Sequence, residues 1–568
     1  MAPFVKRLCT LFLTGAVAMI ITTLVPTTAN AQRGKGTRFC KNLFNPNLNP
    51  NGRIFASQGA QMYCFGVQLH SASNRPQVLG SPSGIANVDA ASPREDISPN
   101  GTQAYGQSET SIAAADQYVV EAWNDATTFY SPCPSPNYKE EGTGFGFSNN
   151  GGASFTDLGG LPNNNCATSR LQGDPSVEAF DFQGDHYFYT TSLFANFTSG
   201  AGNISLNACK VIGSGSAATL SCGQPILVAV GRTPTSFLDK EFATIDPLRG
   251  KLYVSYTDFG FDPVTKTSTN EIDLAACDLT HNPMMPVCSN GSKVAPAQPY
   301  MIVATTDSNF CENEGAYPAV DVSTGDVYVA YEHNWPSAFA VGACLNDPAK
   351  EAVSYIPHHC LTLPASSCPT GPFVTAGELV ISESAAFIPG YNRFPMNDFP
   401  RIAVSDKYGT VSIVWNDARF KPSGDILLQS FSVQTLFPIQ SEPVVVDKAA
   451  TAGPGWQFLP AMRNTDDEGN LYISWYSRAR ADTAITNVYE AVGVSPRMTS
   501  TPANIKITNV ASDWNADSSD IIPNFGDYTD NYVVARSFGP PFTGEIDYTA
   551  WSDGRLGVPQ PFEAHITH

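Results

Sequence analysis

Short apolar runs separated by polar turns recur along the chain, and their period predicts β-hairpins rather than helices. Each copy begins with polar residues, enters an apolar run, and turns at a stretch that is rich in Asp and Gly in most copies. It returns as an alternating strand, such as "VYVAY" (327–331), and most copies end on an aromatic residue that an acidic or amide residue soon follows. Few windows place apolar residues at i, i+3, i+4 and i+7, so long amphipathic helices are not expected. The pattern occurs in seven segments, residues 109–126, 173–192, 240–259, 314–334, 397–419, 456–478 and 526–555.

The spacing of these hairpins predicts the fold class. They recur about every 60 to 80 residues, and the intervening residues suffice for two more strands, so one unit is a four-stranded antiparallel sheet. Several such sheets in series predict an all-β chain folded as a β-propeller, which hides most of its sheet edges. Seven hairpins favour seven blades, and six remain the alternative if the first or last copy is an imperfect addition. An array of β-sandwiches or two stacked β-domains would also fit the spacing.

The pattern divides the chain into three parts. Residues 1–31 form a leader, residues 32–108 form an N-terminal extension with a disulfide loop, and residues 109–568 form the propeller. We expect "FEAHIT" (562–567) to pair with a strand near residues 62–70, which would close the ring by joining the two ends of the chain.

The leader has the organisation of a secretory signal peptide. Lys6 and Arg7 precede an uncharged apolar run over residues 8–25, and "ANA" (29–31) offers small residues for cleavage. The sequence therefore predicts a secreted protein, extracellular or periplasmic. No other stretch is long and apolar enough to span a bilayer, so no membrane span is expected after cleavage.

Charge narrows the range of partners. The formal net charge is −20, and loss of the two basic leader residues makes the mature chain more acidic still. Such a chain repels nucleic acid and anionic membranes. A glycan or an extracellular protein is the expected ligand, and the sequence gives no indication of the oligomeric state.

The cysteines predict a set of local disulfides. Of the 13 cysteines, Cys9 lies in the leader, and an even number in the mature part of an exported protein indicates disulfide bonds. No C-x-x-C occurs, so zinc knuckles and thioredoxin-type chemistry are not expected. Pairing of sequential neighbours gives Cys40–Cys64, Cys133–Cys166, Cys209–Cys222, Cys277–Cys288, Cys311–Cys344 and Cys360–Cys368.

One turn carries a family resemblance. The stretch "FGFSNNGGASFTDLG" (145–159) follows the first hairpin and is expected between the outer two strands of the first blade. It resembles the Asp-box (BNR repeat) of sialidases, which runs Ser, any, Asp, any, Gly, any, Thr, Trp. Ser148 and Gly152 match, and Asn150, Ser154 and Phe155 replace the Asp, Thr and Trp while keeping a turn-forming polar group, a hydroxyl and an aromatic ring.

Other segments strengthen the resemblance to secreted sialidase-superfamily propellers, namely "NFGDYTD" (524–530), "YTAWSDGR" (548–555) and "WNDAR" (415–419). The resemblance spans residues 109–555 and implies the propeller fold. It also implies a glycan-directed protein, an exo-glycosidase that cleaves terminal sialic-acid-like sugars. The family's N-terminal Phe/Tyr-Arg-Ile-Pro signature is absent, and "FPRIA" (399–403) has a different order.

Antiparallel blades sort their loops between two faces, and acidic residues gather on one of them. The hairpin turns lie on one face, and the residues before the first strand and after the second lie on the other. Three arginines share this second face, namely Arg419, Arg478 and Arg555. The acids at strand entries are Asp174, Glu241, Glu314, Asp398 and Asp527, and those at strand exits are Asp125, Asp258, Glu332, Asp417 and Asp553.

Three interpretations of this acidic face stay open. The acids can cap turns and pair with the arginines. They can ring a cation site, for which calcium is the hard ion that suits carboxylate oxygens. They can belong to a glycoside hydrolase site, which needs no cofactor.

For the hydrolase, the resemblance implies an arginine clamp on a substrate carboxylate, a Tyr nucleophile with a Glu base, and an Asp acid. By residue type and face, Arg419, Arg478 and Arg555 would form the clamp. Tyr528 would be the nucleophile, Glu314 its base and Asp398 the acid. The alternative function is a non-catalytic binding propeller with a carbohydrate or protein ligand. Convergence of the three arginines on a Tyr–Glu pair would favour the enzyme, whereas acids and arginines paired with each other, without a pocket, would favour the binder.

Overall fold

The computed structural model describes most of residues 109–568 and short pieces of residues 32–108. The described residues are 38–43, 45, 64, 84–92, 106–126, 141–231, 236–262, 264, 267–289, 301–305, 311–336, 350–362, 374–378, 388–392, 399–447, 455–464, 469–517, 523–537 and 543–567.

These residues form seven antiparallel sheets, which are the blades. Alternating apolar residues and short polar turns explain why the segments pair as hairpins. The strands of blade 1 are β2 (Gln107–Ala115), β3 (Tyr118–Asp125), β4 (Thr143–Ser148) and β5 (Thr156–Gly160). Those of blade 2 are β6 (Ser169–Leu171), β7 (Ser176–Phe182), β8 (Asp185–Asn196), β9 (Ala201–Ile212), β10 (Thr219–Cys222) and β11 (Ile226–Val230). Those of blade 3 are β12 (Ser236–Asp246), β13 (Lys251–Asp262), β14 (Thr267–Asp278), β15 (Val287–Cys288) and β16 (Met301–Thr305).

The remaining blades follow the same order along the chain. Blade 4 has β17 (Cys311–Val320), β18 (Val327–Pro336), β19 (Lys350–Ile356) and β20 (Val374–Glu378). Blade 5 has β21 (Arg401–Ser405), β22 (Thr410–Asp417), β23 (Asp425–Ser432) and β24 (Val444–Val445). Blade 6 has β25 (Gln457–Asn464), β26 (Leu471–Ser477), β27 (Ile485–Val494), β28 (Ile505–Lys506) and β29 (Ser512–Asp513). Blade 7 has β30 (Asp530–Ser537), β31 (Thr543–Asp553), β32 (Gln560–Thr567) and, from the N-terminal side, β1 (Val88–Asp89).

The innermost strand of each blade, which is β7 in blade 2, packs beside the innermost strands of its two neighbours, so the seven sheets close into a ring. Each strand contacts the next in the order β2, β7, β12, β17, β21, β25 and β30, and β30 contacts β2. All seven predicted hairpins are the inner two strands of a blade. The all-β fold and the seven-bladed propeller are therefore confirmed.

The ring closes by pairing the two ends of the propeller. β1 pairs with β32 in the register Val88↔Glu563. β1 lies within residues 32–108, next to the propeller. The predicted partner near residues 62–70 lies outside the described residues, apart from Cys64.

The apolar core is divided among the seams between blades. One cluster joins blades 4 and 5 through residues such as Tyr317 and Trp415, and another joins blades 5 and 6 through Val414 and Trp475. Four tryptophans near the ends of second strands are buried, namely Trp123, Trp415, Trp475 and Trp551. Each blade therefore depends on its neighbours for its hydrophobic burial.

Disulfides and short helices complete the description. Cys40–Cys64, Cys209–Cys222 and Cys277–Cys288 form as predicted. Cys166 and Cys360 are also disulfide-bonded, and their predicted partners lie outside the described residues. The α-helix α1 (Arg38–Leu43) and two 3₁₀ helices, Gly215–Ala217 and His358–Thr362, are short. Within the described ranges, no helix has the length and hydrophobicity that crossing a bilayer requires.

Candidate functional site

Four charged side chains from four blades meet where the inner strands begin, which we call the entry end of the ring. Lys240 of blade 3 lies with its Nζ 2.9 Å from Asp527 Oδ2, 3.1 Å from Asp174 Oδ2 and 3.4 Å from Glu109 Oε1. All four side chains are buried, and Lys240 has no exposed surface. Side chains from blades 1, 2, 3 and 7 can meet only near the ring axis. This axial cluster therefore fills the entry end of the central channel.

The electrostatics of the axial cluster follow from burial and proximity. Burial alone would lower the pKa of Lys240, but the neighbouring carboxylates, Asp174 first, raise that pKa well above its ordinary value. Burial raises the pKa of Glu109 well above its usual range, and it raises that of Asp174 as well. The cluster is thus a charged lysine among carboxyl groups that have only one ammonium to share.

A repeated backbone feature aims these side chains at the axis. Glu109, Asp174 and Lys240 have φ values of 56°, 54° and 53°, in the left-handed region that non-glycine residues rarely adopt. Glu109 and Lys240 lie in bulges that interrupt the pairing of their strands, and Asp174 precedes the first pair of β7; each lies two residues before the unbroken pairing of its inner strand begins. The equivalent positions of blades 4 and 6 share this conformation, at Gly315 (φ 67°) and Leu459 (φ 49°). Such irregularities redirect side chains at strand ends, and here they turn three charged residues inward.

A second layer lies below the axial cluster. The guanidinium carbon of Arg401 lies 4.6 Å from the ring centroids of both Phe242 and Tyr317. Arg401 donates to the carbonyl oxygens of Pro460 (3.3 Å) and Thr529 (3.2 Å). Burial lowers the pKa of this guanidinium. Arg401 therefore binds five blades together, because its partners come from blades 3, 4, 6 and 7.

The candidate nucleophile Tyr528 lies inside this assembly. Its hydroxyl donates to the carbonyl oxygen of Pro175 at 3.0 Å, and only 2% of the residue is exposed. Burial, followed by Glu109, raises the pKa of Tyr528 well above its ordinary value, which keeps the phenol neutral. The candidate base Glu314 is also buried, at the start of β17, where it pairs in register with Glu332. The candidate acid Asp398 lies outside the described residues.

Two of the candidate clamp arginines form ion pairs with aspartates of their own loops. Trp415 Nε1 donates to Asp417 Oδ2 at 3.0 Å, the Arg419 amide donates to Asp417 Oδ1 at 2.7 Å, and Arg419 Nη2 lies 2.7 Å from Asp417 Oδ2. One carboxylate thus holds an indole, a backbone amide and a guanidinium, which fixes the strand exit. Blade 7 repeats the arrangement with Trp551, Asp553 and Arg555.

The third candidate, Arg478, is fully buried, and among the described residues no carboxylate forms an ion pair with it. Its side chain donates to Thr486 Oγ1 (3.0 Å) and to the carbonyl oxygens of Pro389 (2.6 Å) and Thr483 (3.2 Å). Its guanidinium lies 4.8 Å from the ring of Trp514. Burial lowers the pKa of Arg478 to about 9. Its contacts hold the segment 388–392 against blade 6.

That segment crosses the entry end beside the axial cluster. The Tyr391 hydroxyl donates to the carbonyl oxygen of Gly526 (3.0 Å) and contacts Asp527 Oδ1 (3.1 Å). Asn524 Nδ2 donates to the carbonyl oxygen of Gly390 at 2.7 Å. Segment 388–392 therefore covers part of the entry end and shares a carboxylate with Lys240.

The candidate residues are thus brought together only in part. Asp174 and Asp527 meet at the axis, and Tyr528 packs beside them, with its ring 5.7 Å from Lys240 Nζ. Each of the three arginines is engaged by partners in its own loop or an adjoining segment. The clamp and the catalytic roles remain predictions. In the structure, Arg419 and Arg555 are paired with aspartates, and Arg478 donates to neutral oxygens. Sequence reasoning missed the axial residues Glu109, Lys240 and Arg401, although alignment of the seven hairpins puts them at strand starts.

A separate carboxylate group lies on blade 3. Asp258, Glu271 and Asp273 can each offer an oxygen, and these oxygens lie within 4.8 Å of one another. Carboxylate oxygens suit a hard cation such as calcium. Asp258 is one of the acids predicted at strand exits, so this group on β13 and β14 is a place at which the predicted calcium binding can be tested.

The turn that resembles an Asp-box lies where it was expected, between β4 and β5. Ser148 Oγ accepts from the Gly152 amide (3.0 Å), and Asn150 Oδ1 accepts from the Ser154 amide (3.1 Å). Asn150 thus closes the turn through its side chain. A Cβ at Gly152 (φ 83°) would lie 2.8 Å from Glu563 Oε1, so this turn packs against blade 7.

Comparison with known proteins gives similarity of backbone only. No protein-family model matches the chain, and no curated protein matches it. A Penicillium chrysogenum α-L-arabinanase shares 14% identity over 78% of this chain and 99% of its own, with a TM-score of 0.38. A Trypanosoma rangeli sialidase shares 10% identity over 86% of this chain but only 59% of its own, with a TM-score of 0.35. A Lactobacillus brevis α-L-arabinofuranosidase shares 11% identity over 59% of this chain and 88% of its own, with a TM-score of 0.28.

Identities and TM-scores this low do not indicate an activity for this chain. The propeller that the sialidase resemblance implied is confirmed by the closed ring of seven sheets itself, and sialidases are among the solved structures to which this chain is similar.

Proposed function

We propose that the protein is an extracellular β-propeller that binds a carbohydrate ligand without hydrolysing it. The observation that carries the proposal is the burial of Tyr528, whose hydroxyl donates a hydrogen bond to the Pro175 carbonyl oxygen. A nucleophile needs access to the anomeric carbon and an activated hydroxyl. A neutral, inaccessible phenol supports binding over catalysis.

The arginines support the same choice. Arg419 and Arg555 are engaged by their own aspartates, and Arg478 by backbone carbonyls. Gripping a sugar carboxylate would require each guanidinium to exchange these partners for the ligand. Secretion through the predicted leader accords with the disulfides, which form and persist in oxidising compartments.

The proposal is tested by measuring binding and turnover on the same purified protein. We expect retention of glycans on an array, together with no release of fluorophore from panels of 4-methylumbelliferyl sialosides and arabinosides. Turnover that is abolished in both Tyr528→Phe and Glu314→Gln variants would overturn the proposal and establish the exo-glycosidase instead. Tyr528→Phe removes only the hydroxyl, so the fold is expected to survive. Absence of binding to any glycan would also contradict the proposal.

A further inference from the structure

The opposite end of the central channel contains an open cavity. Its volume is about 190 Å³, and its rim includes Pro247, Val322 and Asp406, which belong to or adjoin the hairpin turns. We call it the turn-face cavity. The axial cluster and Arg401 lie further along the channel, towards the entry end. A ligand would therefore enter this cavity from the hairpin-turn face and not from the face where the catalytic residues were predicted.

The cavity is built by one equivalent position in six successive blades. The unbroken pairing of each inner strand begins at one residue, and the cavity residue lies two positions further along the strand. All of these residues line the cavity. Two of them are alanines, whose small side chains leave the space that longer residues would fill. The six residues are Glu178, Thr244, Ala319, Ala403, Arg463 and Tyr532.

The charges in and beneath the cavity balance. Arg463 Nη2 lies 2.8 Å from Glu178 Oε1 and 3.9 Å from Asp530 Oδ2, and Arg463 Nε donates to the Asn531 carbonyl oxygen at 3.2 Å. Together with Arg401 in the layer beneath, two guanidinium groups face two carboxylates. Asp406 adds a carboxylate only at the exposed rim. A ligand carboxylate would have to displace Glu178 from Arg463, and a ligand cation would have to approach Arg463.

Neutral hydroxyl groups meet neither penalty, because a hydroxyl can donate to Glu178 and accept from Arg463. The Thr244 hydroxyl adds a further polar group, and it has no protein hydrogen-bond partner within the described ranges. Apolar walls from residues such as Ile245, Val404 and Val533 suit C–H groups. We propose that the turn-face cavity binds a neutral sugar residue, at the mouth opposite the predicted catalytic face. This proposal rests on the proposed carbohydrate binding and names its site and its ligand class.

Titration calorimetry with neutral monosaccharides tests the proposal. The probes are glucose, galactose, mannose, arabinose and xylose, with N-acetylneuraminate as the acidic comparison. We expect at least one neutral sugar to bind and N-acetylneuraminate not to bind. Thr244→Val keeps the side-chain shape and loses one hydrogen bond, so affinity should fall about fivefold. Ala319→Leu fills the space and should abolish binding.

Thr435→Ala, at an exposed turn of the same face outside the cavity, is the matched control and should bind like the natural protein. Thermal melting establishes that each variant is folded. If Ala319→Leu does not fold, the affinity of Thr244→Val alone decides whether the sugar binds in the turn-face cavity. An affinity in Thr244→Val equal to that of the natural protein, or preference for N-acetylneuraminate, would overturn the assignment of the cavity while leaving carbohydrate binding intact. If the protein binds glycans on the array but none of these sugars, the assignment of the cavity is also overturned. If it binds no glycan on the array, the proposed function itself is refuted.

Discussion

Lys240 balances the charge at the entry end, because three buried carboxyl groups depend on its ammonium. Replacing it by Met keeps much of the side-chain volume but leaves these acids without a cation. Removing one partner of a buried charge cluster costs about 3–5 kcal/mol. We expect Lys240→Met to lose this much free energy of unfolding in urea titrations at pH 8. The loss should be smaller at pH 5, because protonated carboxyls no longer need the ammonium.

The matched control is Lys251→Met, which breaks a half-exposed pair with Asp278 (2.7 Å). Such pairs contribute about 0–1 kcal/mol, so this variant should unfold almost like the natural protein. Equal effects of the two substitutions would show that the axial cluster is not what holds the entry end together.

At the scale of strands, ring closure depends on very little sequence. β1 has two residues, and the Ala90 amide extends its pairing by donating to the Pro561 carbonyl oxygen at 2.9 Å. Ala90→Pro removes this hydrogen bond between the N-terminal strand and blade 7. We expect a loss of about 1–3 kcal/mol and faster proteolysis of β32 at Phe562, measured by thermal melting and limited chymotrypsin digestion.

Val446→Pro provides the comparison, since Val446 follows β24, another two-residue outer strand, and its amide donates to the Ile426 carbonyl oxygen at 2.8 Å. That hydrogen bond lies within one blade, so its loss should leave β32 protected. Protection of β32 in both variants would mean that β1 is not needed to close the ring.

The hairpins were predictable because alternation and Asp-Gly turns are local signals, and "VYVAY" states its period within five residues. The closing strand was not, because Val88–Asp89 is too short to show a period and its partner lies at the other end of the chain. Of the acids predicted at strand starts, Asp174 and Asp527 lie together at the entry end of the ring. Their burial was not predictable, because left-handed residues such as Lys240 change the direction of a side chain without any sign in the alternation.

At the scale of the whole molecule, buried carboxyl groups set the response to pH. Burial is the first cause that raises the pKa of Asp89, Asp447 and Glu563 to about 7 and that of Asp547 to about 6. In the unfolded chain these groups titrate near 4. Between these values the folded protein binds more protons than the unfolded chain does. The stability that these four groups contribute is therefore fully present below about pH 4 and is lost as the pH rises through 6 and 7.

Glu121 tests this response at the seam between blades 1 and 7. Both of its carboxyl oxygens are buried without a hydrogen-bond partner among the residues described, and burial followed by Glu563 and Asp89 raises its pKa well above the usual range. We expect the melting temperature of the natural protein to fall from pH 5 to pH 8. In Glu121→Gln the side chain cannot ionise, so the melting temperature should fall less, with the largest gain at pH 8. Glu442→Gln, at an exposed position, should leave the slope unchanged. A melting temperature that rises towards pH 8 would contradict the argument, because it would require these acids to be better stabilised when charged inside the ring than when solvated in the unfolded chain.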